Sequence, residues 1–230
     1  DWFLDFVAIG GDTFSDSGNV DEGEYLNQKV LDIMDDFTPL KIWATSGKLQ
    51  FAINIDNAIN DGAGFVYFSG HGTYENWATH PHNRFDTWWP IGTYYDYRIE
   101  TLNNGGKLPI VVIGGCSNCQ FSEDHCFGWS FVKNPDGGGI ASYGNSALGY
   151  QYRGAACSQG LSGARELNLF RAYKYQNAET TGEMWSQSIT SYINDYGLSS
   201  VYDYKTLEEW QPFCDPSLRF VKISAKPNKP

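Results

Sequence analysis

The segment "GFVYFSGHGT", residues 64–73, joins a short apolar run to a glycine-rich end. The run has the length of a β-strand and is rich in Phe and Val, which favours a buried strand. A second segment, "LPIVVIGGCSNCQF" at residues 108–121, has the same pattern. The first segment places His71 just beyond its strand, and the second places Cys116 just beyond its own. Two reactive side chains therefore follow two buried strands.

The rest of the chain alternates strand-like and helix-like segments. Apolar runs rich in Val, Ile and Phe predict strands at residues 2–9, 40–44, 65–68, 109–113, 139–143 and 218–223. Helical spacing predicts helices at residues 22–35, 49–60, 125–133, 165–176 and 182–195. This alternation is typical of an α/β fold with a mainly parallel central sheet covered on both faces. We expect one domain over residues 1–223, followed by a Pro- and Lys-rich linker or tail at 224–230.

The composition narrows the class of protein. A net charge of −11 over 230 residues argues against nucleic acid as a partner, because its phosphates would be repelled. The longest apolar stretches fall far short of the roughly 20 residues that a membrane-spanning helix needs, so no membrane span is expected. The chain begins at Asp1 without a leader sequence, which indicates a processed piece of a longer precursor. Further domains of that precursor are therefore expected partners.

The two strand ends carry a chemistry that can be stated from residue types. Parallel sheets bind ligands beyond the carboxyl ends of their strands, so His71 and Cys116 are predicted to face one cleft. A thiolate is a strong nucleophile, and a nearby imidazole accepts the proton of the thiol. Glycines beside each residue allow close backbone approach and expose amides to a developing oxyanion. The alternative is that a single His and a single Cys at strand ends are structural.

The cysteine count bears on the cellular compartment. The cysteines lie at positions 116, 119, 126, 157 and 214. An odd number fits a secreted or extracellular protein with two disulfides among Cys119, Cys126, Cys157 and Cys214, which leaves Cys116 free as a reactive thiol. The pairing does not follow from the sequence. The alternative is a cytoplasmic protein with five reduced thiols.

Other residue clusters suggest weaker hypotheses. Cys116 and Cys119 form a CxxC motif near several histidines, but a second cysteine pair is lacking, so we assign no metal ligands and expect no required cofactor. Loops rich in Asp, Asn and Gly at residues 12–24 and 134–139 could hold Ca²⁺, although turn formation also explains them. Aromatic residues crowd residues 77–97 and could bind a glycan or a protein. The rival function is therefore a non-catalytic extracellular adhesion or structural module.

Several motifs resemble the gingipain family of secreted cysteine peptidases. "GHGTYENWATH" resembles the stretch around the catalytic histidine, and "LPIVVIGGCSNCQF" resembles the strand, nucleophile and following Asn, here Asn118. "GGIASYGNS" resembles the wall of the specificity pocket, and "FCDPSL" resembles the closing element. The motifs occur in the family's order across most of the chain. The resemblance implies a caspase-like three-layer α/β/α sandwich and the catalytic half of a peptidase unit.

The resemblance also implies roles for individual residues. His71 would be the general base, Cys116 the nucleophile, and the amides of Gly72 and Cys116 the oxyanion hole of an endopeptidase acting on peptide or protein substrates. Ile9 stands where the family has an acid, so Asp12 is a candidate to orient His71 instead.

The substrate pocket is less clearly defined by the resemblance. Trp77, Tyr143 and Asn145 would contribute to its walls. In the arginine-preferring members an acid after the first strand binds the basic side chain of the substrate, and Asp21 or Glu22 is nearest to that position, with Asp12 as a further source of charge. Cleavage after Arg or Lys is therefore the expected specificity. Alternatively, Asp21 and Glu22 simply begin the following helix.

Overall fold

A central six-stranded sheet organises the protein, which is described here by a computed structural model covering residues 2–16 and 18–221. The strands in chain order are β1 (Asp5–Gly10), β2 (Thr38–Trp43), β3 (Phe65–Ser69), β4 (His71–Gly72), β5 (Asn76–Thr79), β6 (Trp89–Tyr95), β7 (Ile110–Gly114), β8 (Ala141–Asn145) and β9 (Trp210–Phe213). The large sheet has the order β2-β1-β3-β7-β8-β9. Its first five strands are parallel and β9 is antiparallel.

Helices cover both faces of this sheet. They are α1 (Glu22–Ile33), α2 (Ile53–Asn60), α3 (Asp96–Ile99), α4 (Phe127–Lys133), α5 (Leu161–Tyr175), α6 (Thr181–Tyr196) and α7 (Val201–Glu209). Apolar residues of α1, α5 and α6 share one buried cluster with the sheet, and those of α2, α3 and α4 share another. The predicted α/β fold with a mainly parallel sheet is confirmed.

The strand sequences explain why the sheet needs two covering layers. Successive residues of a strand point to opposite faces, so Phe6 and Ala8 of β1 enter one cluster, while Val7 and Ile9 enter the other. All four are fully buried. A strand that is apolar on both faces is stable only between two helical layers.

A second, smaller sheet follows the central strand β3. It has the order β4-β5-β6, is antiparallel and contains His71 at its start. Trp77 and Tyr94 of this sheet are completely buried and join the cluster under α2 and α4. The aromatic insertion is therefore packed onto the domain, and only part of it is exposed.

The C-terminal part of the chain differs from the prediction. Residues 218–221 form no strand, and Arg219 makes only an isolated bridge to Thr180. The last strand is instead β9, which was not predicted, and it is preceded by α7, which was also not predicted. The expected tail at 224–230, together with 222–223, lies outside the described residues.

The expected disulfides are not present, because all five cysteines are free thiols. Cys119 and Cys157 are fully buried in the clusters on opposite faces of the sheet. Cys214 packs against the cluster that contains Cys157, and Cys126 is buried as well. Core packing, rather than covalent cross-links, holds these segments. Among the described helices, none combines the length and the apolar character needed to cross a bilayer.

Phe65 lies at the centre of the largest aromatic contact network. Its ring centroid is 5.0 Å from that of Tyr173 and 5.3 Å from that of Phe37. We expect Phe65→Ala to lower the free energy of unfolding by about 3–5 kcal/mol, because it leaves a cavity in a packed core. Urea denaturation measures this loss. Phe51→Ala removes the same side chain from an exposed site and should cost less than about 1 kcal/mol; equal losses would contradict the core assignment.

Candidate active site

The register of two central strands places His71 and Cys116 side by side. Strand β3 pairs with β7 in parallel, with Ser69 opposite Gly114 at their carboxyl ends. His71 lies two residues after Ser69, and Cys116 lies two residues after Gly114. Gly70 N donates to Gly114 O at 2.8 Å, which extends the alignment beyond the sheet. Both side chains line the same cavity, as the sequence predicted.

The two loops that follow these strands approach each other closely. A Cβ on Gly115 would lie 3.1 Å from the carbonyl carbon of His71 and 3.2 Å from Gly72 N, so a larger residue would push the loops apart. Asn118, which is fully buried, joins them from below. Its Nδ2 donates to Thr73 O at 2.7 Å and to Asn76 O at 2.9 Å. The position of Cys116 relative to His71 is therefore fixed by backbone contact and by one amide side chain.

His71 is held by a backbone carbonyl. Its Nε2 lies 2.8 Å from Thr13 O, and because a carbonyl only accepts, Nε2 carries the proton. In the neutral ring Nδ1 is then the free base. Burial lowers the pKa of His71, despite the opposing effect of the Thr13 bond. The rings of Phe14 and Trp88 pack edge-on against the imidazole, with centroids at 5.7 and 5.3 Å.

Cys116 is partly buried and its thiol is neutral at rest. Burial raises the pKa of the Cys116 thiol, and the opposing effect of the Lys205 charge is smaller. The thiol donates a weak hydrogen bond to Gly149 O, with the sulfur 3.8 Å from that oxygen. With the pKa of His71 lowered as well, the pair is a thiol beside a neutral imidazole at neutral pH. It is not a preformed thiolate–imidazolium pair.

The cavity between these residues has a volume of about 80 Å³ and reaches into the domain. Its lining comes from the loop after β1, both strand ends, the segment after β8 and the start of α5. The residues are Phe14, Gly70, His71, Gly114, Gly115, Cys116, Asn145, Gly149, Tyr150, Gln151, Ser162 and Glu166. Cys116 thus lies in the wall of a pocket with one acid among its described lining residues.

That acid, Glu166, was not identified from the sequence. It lies on α5, is 1% exposed, and approaches Gly114 so closely that a Cβ there would be 2.7 Å from its Oε1. The hydroxyl of Tyr67 donates to its Oε2. Burial raises the pKa of Glu166 to about 8, so the group is protonated at neutral pH when the cavity holds no cation.

Among the expected wall residues, Asn145 lies at the cavity and two others do not. Asn145 donates from Nδ2 to Gly115 O at 3.0 Å, and its Oδ1 has no partner. Trp77 and Tyr143 are completely buried. Trp77 packs on Phe68, and Tyr143 donates to Thr181 O at 2.9 Å. These two residues support the site from behind and are not available to contact a substrate.

The three acids that were expected to bind the substrate do not line this cavity. Glu22 is fully buried and accepts from the amides of Thr13, Phe14 and Gly154, so its carboxylate holds the loop after β1. Asp21 pairs with His82, with Oδ1 3.0 Å from Nδ1. Asp12 accepts from Asn83 N and does not contact His71, whose partner is the carbonyl of the next residue. The described hydrogen-bond partner of His71 is thus a backbone carbonyl and not the expected acid.

A second cavity lies on the other side of His71. It has a volume of about 310 Å³ and is lined by His71, Gly72, Thr73, Asn76, Ala78, Trp88 and Thr93. Trp88, which is 46% exposed, forms one wall and contacts both His71 and His80. His71 therefore stands between a narrow pocket that ends in an acid and a wider one with an aromatic wall.

The model of peptidase family C25 matches residues 1–221. The chain belongs to this family. It is the gingipain family of cysteine peptidases that the motifs indicated.

Solved structures agree on the fold. The crystal structure of the Arg-specific cysteine proteinase gingipain R (RgpB) matches with a TM-score of 0.70 and 19% identity, over 95% of this chain and 48% of that one. A complex of Porphyromonas gingivalis RgpB pro- and mature domains matches with a TM-score of 0.69, 19% identity and the same coverage. The caspase-like fold is thereby established. This family C25 chain spans about half the length of those structures, and a search of curated proteins finds no match.

The hydrogen bond to Thr13 O predicts a specific state of His71. We expect a pKa below that of free histidine, and a neutral ring protonated on Nε2, because burial disfavours the cation and the carbonyl requires a donor. Nitrogen-15 NMR titration reports both properties. The spectrum of His71→Gln identifies the signal. A ring protonated on Nδ1 would show that Thr13 does not orient the imidazole, and a raised pKa would show that burial does not dominate the titration of His71.

Proposed function

We propose that this family C25 chain carries the catalytic centre of a cysteine endopeptidase, with Cys116 as nucleophile and His71 as general base. The observation that supports this most directly is the level register of β3 and β7, from which both side chains enter one cavity. Membership in a cysteine peptidase family supports the same reaction. Peptides or proteins are then the substrates.

The proposed reaction follows from the hydrogen bonds of the pair. Nδ1 of His71 takes the proton of the thiol as the Cys116 sulfur attacks the scissile carbonyl carbon. The resulting imidazolium keeps its Nε2 proton on Thr13 O and gives the Nδ1 proton to the leaving amine, which leaves a thioester on Cys116. Water then hydrolyses the thioester, with His71 acting as base again. The acid and a free thiol are released.

The negative charge of each tetrahedral intermediate needs donors. The amides of Gly72 and Cys116 are the proposed oxyanion hole, because the Gly115 backbone brings these two segments within van der Waals contact. Asn118 holds them in that arrangement, so donors are in place before the reaction starts. Preorganised amides of this kind do not have to reorient as charge develops.

Glu166 is the proposed determinant of a preference for Arg or Lys before the scissile bond. Its carboxyl group lies in the cavity that opens at Cys116, where the side chain preceding the scissile carbonyl would enter. A guanidinium or ammonium group would displace the proton of Glu166 and form a buried ion pair. Asp21 and Glu22 already have partners, so they are less suited to this role.

Removing either member of the pair should abolish hydrolysis. We expect Cys116→Ala and His71→Ala each to lower kcat by roughly 10³-fold or more, because the two residues act as one unit. A peptide library assayed by mass spectrometry measures the loss. Cys214→Ala, which removes a partly buried thiol outside the cavity, should retain activity. An active Cys116→Ala variant, or a full-length protein that cleaves no peptide and resists thiol-reactive probes, would favour the non-catalytic module.

Glu166→Gln tests the proposed specificity. We expect it to lower kcat/KM for Arg substrates about 100-fold or more, with little loss for substrates that carry a neutral residue at that position, because the buried cation loses its counter-charge. Asp16→Asn is the matched control, since Asp16 lies on a nearby loop and outside the cavity. If Asp16→Asn removes the Arg preference and Glu166→Gln does not, the assignment of Glu166 is wrong.

A further inference from the structure

Three potential metal ligands meet beside the active site without taking part in it. Asp12 and Asp21 come from the loop after β1, and His82 comes from the segment that follows β5. One ligand atom from each residue lies within 4.8 Å of the other two. The backbones of the two segments are joined here by an antiparallel bridge between Asp12 and His80. Residues about seventy positions apart in the chain are therefore brought to one point by the fold.

Asp12 supplies the observation that points to a ligand. Asp12 is only 3% exposed, and its Oδ2 accepts a hydrogen bond from Asn83 N at 2.8 Å. Oδ1 is buried and has no hydrogen-bond partner among the described residues. An unpaired buried acceptor costs about 1–3 kcal/mol, and more when it is charged. A cation beside Oδ1 would remove this cost.

The pair of Asp21 and His82 has distances that suit a shared ion. Nδ1 of His82 lies 3.0 Å from Oδ1 and 3.1 Å from Oδ2 of Asp21. Two ligands at about 2.0–2.1 Å from a tetrahedral ion are about 3.3 Å apart. Nε2 of His82 accepts from Asn83 Nδ2 at 2.9 Å, which leaves Nδ1 to carry a proton toward Asp21. A metal ion would replace that proton.

We propose that Asp12, Asp21 and His82 form a binding site for a divalent transition metal ion, with Zn²⁺ as the preferred ion. Imidazole with two carboxylates is a ligand set for zinc, whereas Ca²⁺ takes six to eight oxygen ligands. His82 is about half exposed, so water completes the coordination. The site uses none of the cysteines, and it differs from the all-oxygen Ca²⁺ site considered for residues 12–24.

The site has a structural consequence for the loop after β1. An ion held by Asp12, Asp21 and His82 cross-links this loop to the segment at residues 80–83. Thr13, whose carbonyl oxygen accepts the hydrogen bond from Nε2 of His71, is the neighbour of Asp12. A bound ion thus steadies the peptide that orients His71. The binding itself is independent of whether the chain is a peptidase.

Zinc titration of a metal-free protein tests the proposal. The background variant is Cys116→Ala, because the active-site thiol and His71 could bind zinc themselves. Competition with a chromophoric chelator should give one tight Zn²⁺ per chain. Asp12→Asn and His82→Gln should each weaken binding about 100-fold or more, since each removes a ligand. Circular dichroism checks that the variants fold, and the exposed His82 variant carries the test if Asp12→Asn does not.

His125→Gln is the matched control. His125 also faces a carboxylate, with Nε2 3.5 Å from Asp96 Oδ2, but no third potential ligand among residues 2–16 and 18–221 converges there. Its zinc affinity should equal that of the background. Unchanged zinc binding in His82→Gln, or equal losses in His82→Gln and His125→Gln, would overturn the site. Stabilisation by Ca²⁺ with no response to Zn²⁺ would overturn the choice of metal.

Discussion

The parallel register of β3 against β7 is the constraint on which the candidate active site depends. Ser69 faces Gly114 across the sheet, so His71 and Cys116 extend equally far beyond it. A shift of one residue would turn every side chain of one strand to the opposite face and separate the imidazole from the thiol. The apolar residues of both strands prevent such a shift, because those on each face fit a different buried cluster.

The buried carboxyl group of Glu166 reduces the stability of the fold. Glu166 lies on α5, a helix that is buried on most sides, and its only described hydrogen-bond donor is Tyr67. An apolar residue there would be easier to bury. Protonation reduces the cost at neutral pH, which is why the pKa rises to about 8. In the proposed function, a basic side chain of the substrate would take the place of this proton, so the burial that is costly for the free protein would favour binding of a cation.

Local patterns were sufficient for the parts of the fold that have regular sequence signals. The five parallel strands and the helices α1, α2, α4, α5 and α6 lie within a few residues of their predicted bounds, because each has an apolar pattern that can be recognised in the sequence. Strand β9 was missed because it has only four residues and includes Pro212. The apolar run beginning at Leu218 was also predicted as a strand, yet Arg219 pairs only in an isolated bridge with Thr180, just before α6.

Only some of the residues at the candidate site could be recognised from the sequence. His71 and Cys116 could be identified because glycines mark both strand ends. Glu166 could not, since one acid within a helix carries no sign of which turn faces a cavity. The carbonyl of Thr13 has no side-chain signature at all.

His71 also separates two cavities of different character. In the proposed reaction the acyl side of the substrate enters the narrow cavity, where one buried carboxyl group selects by charge. The leaving side faces the wider cavity, where Trp88 and Ala78 offer shape and apolar surface but no charge. Discrimination between charged and neutral substrate side chains is strong because an unpaired buried ion is costly. Apolar contacts discriminate between substrates by only about 1–3 kcal/mol per methylene. In the proposed reaction, selection on the acyl side should therefore be strict and selection on the leaving side permissive.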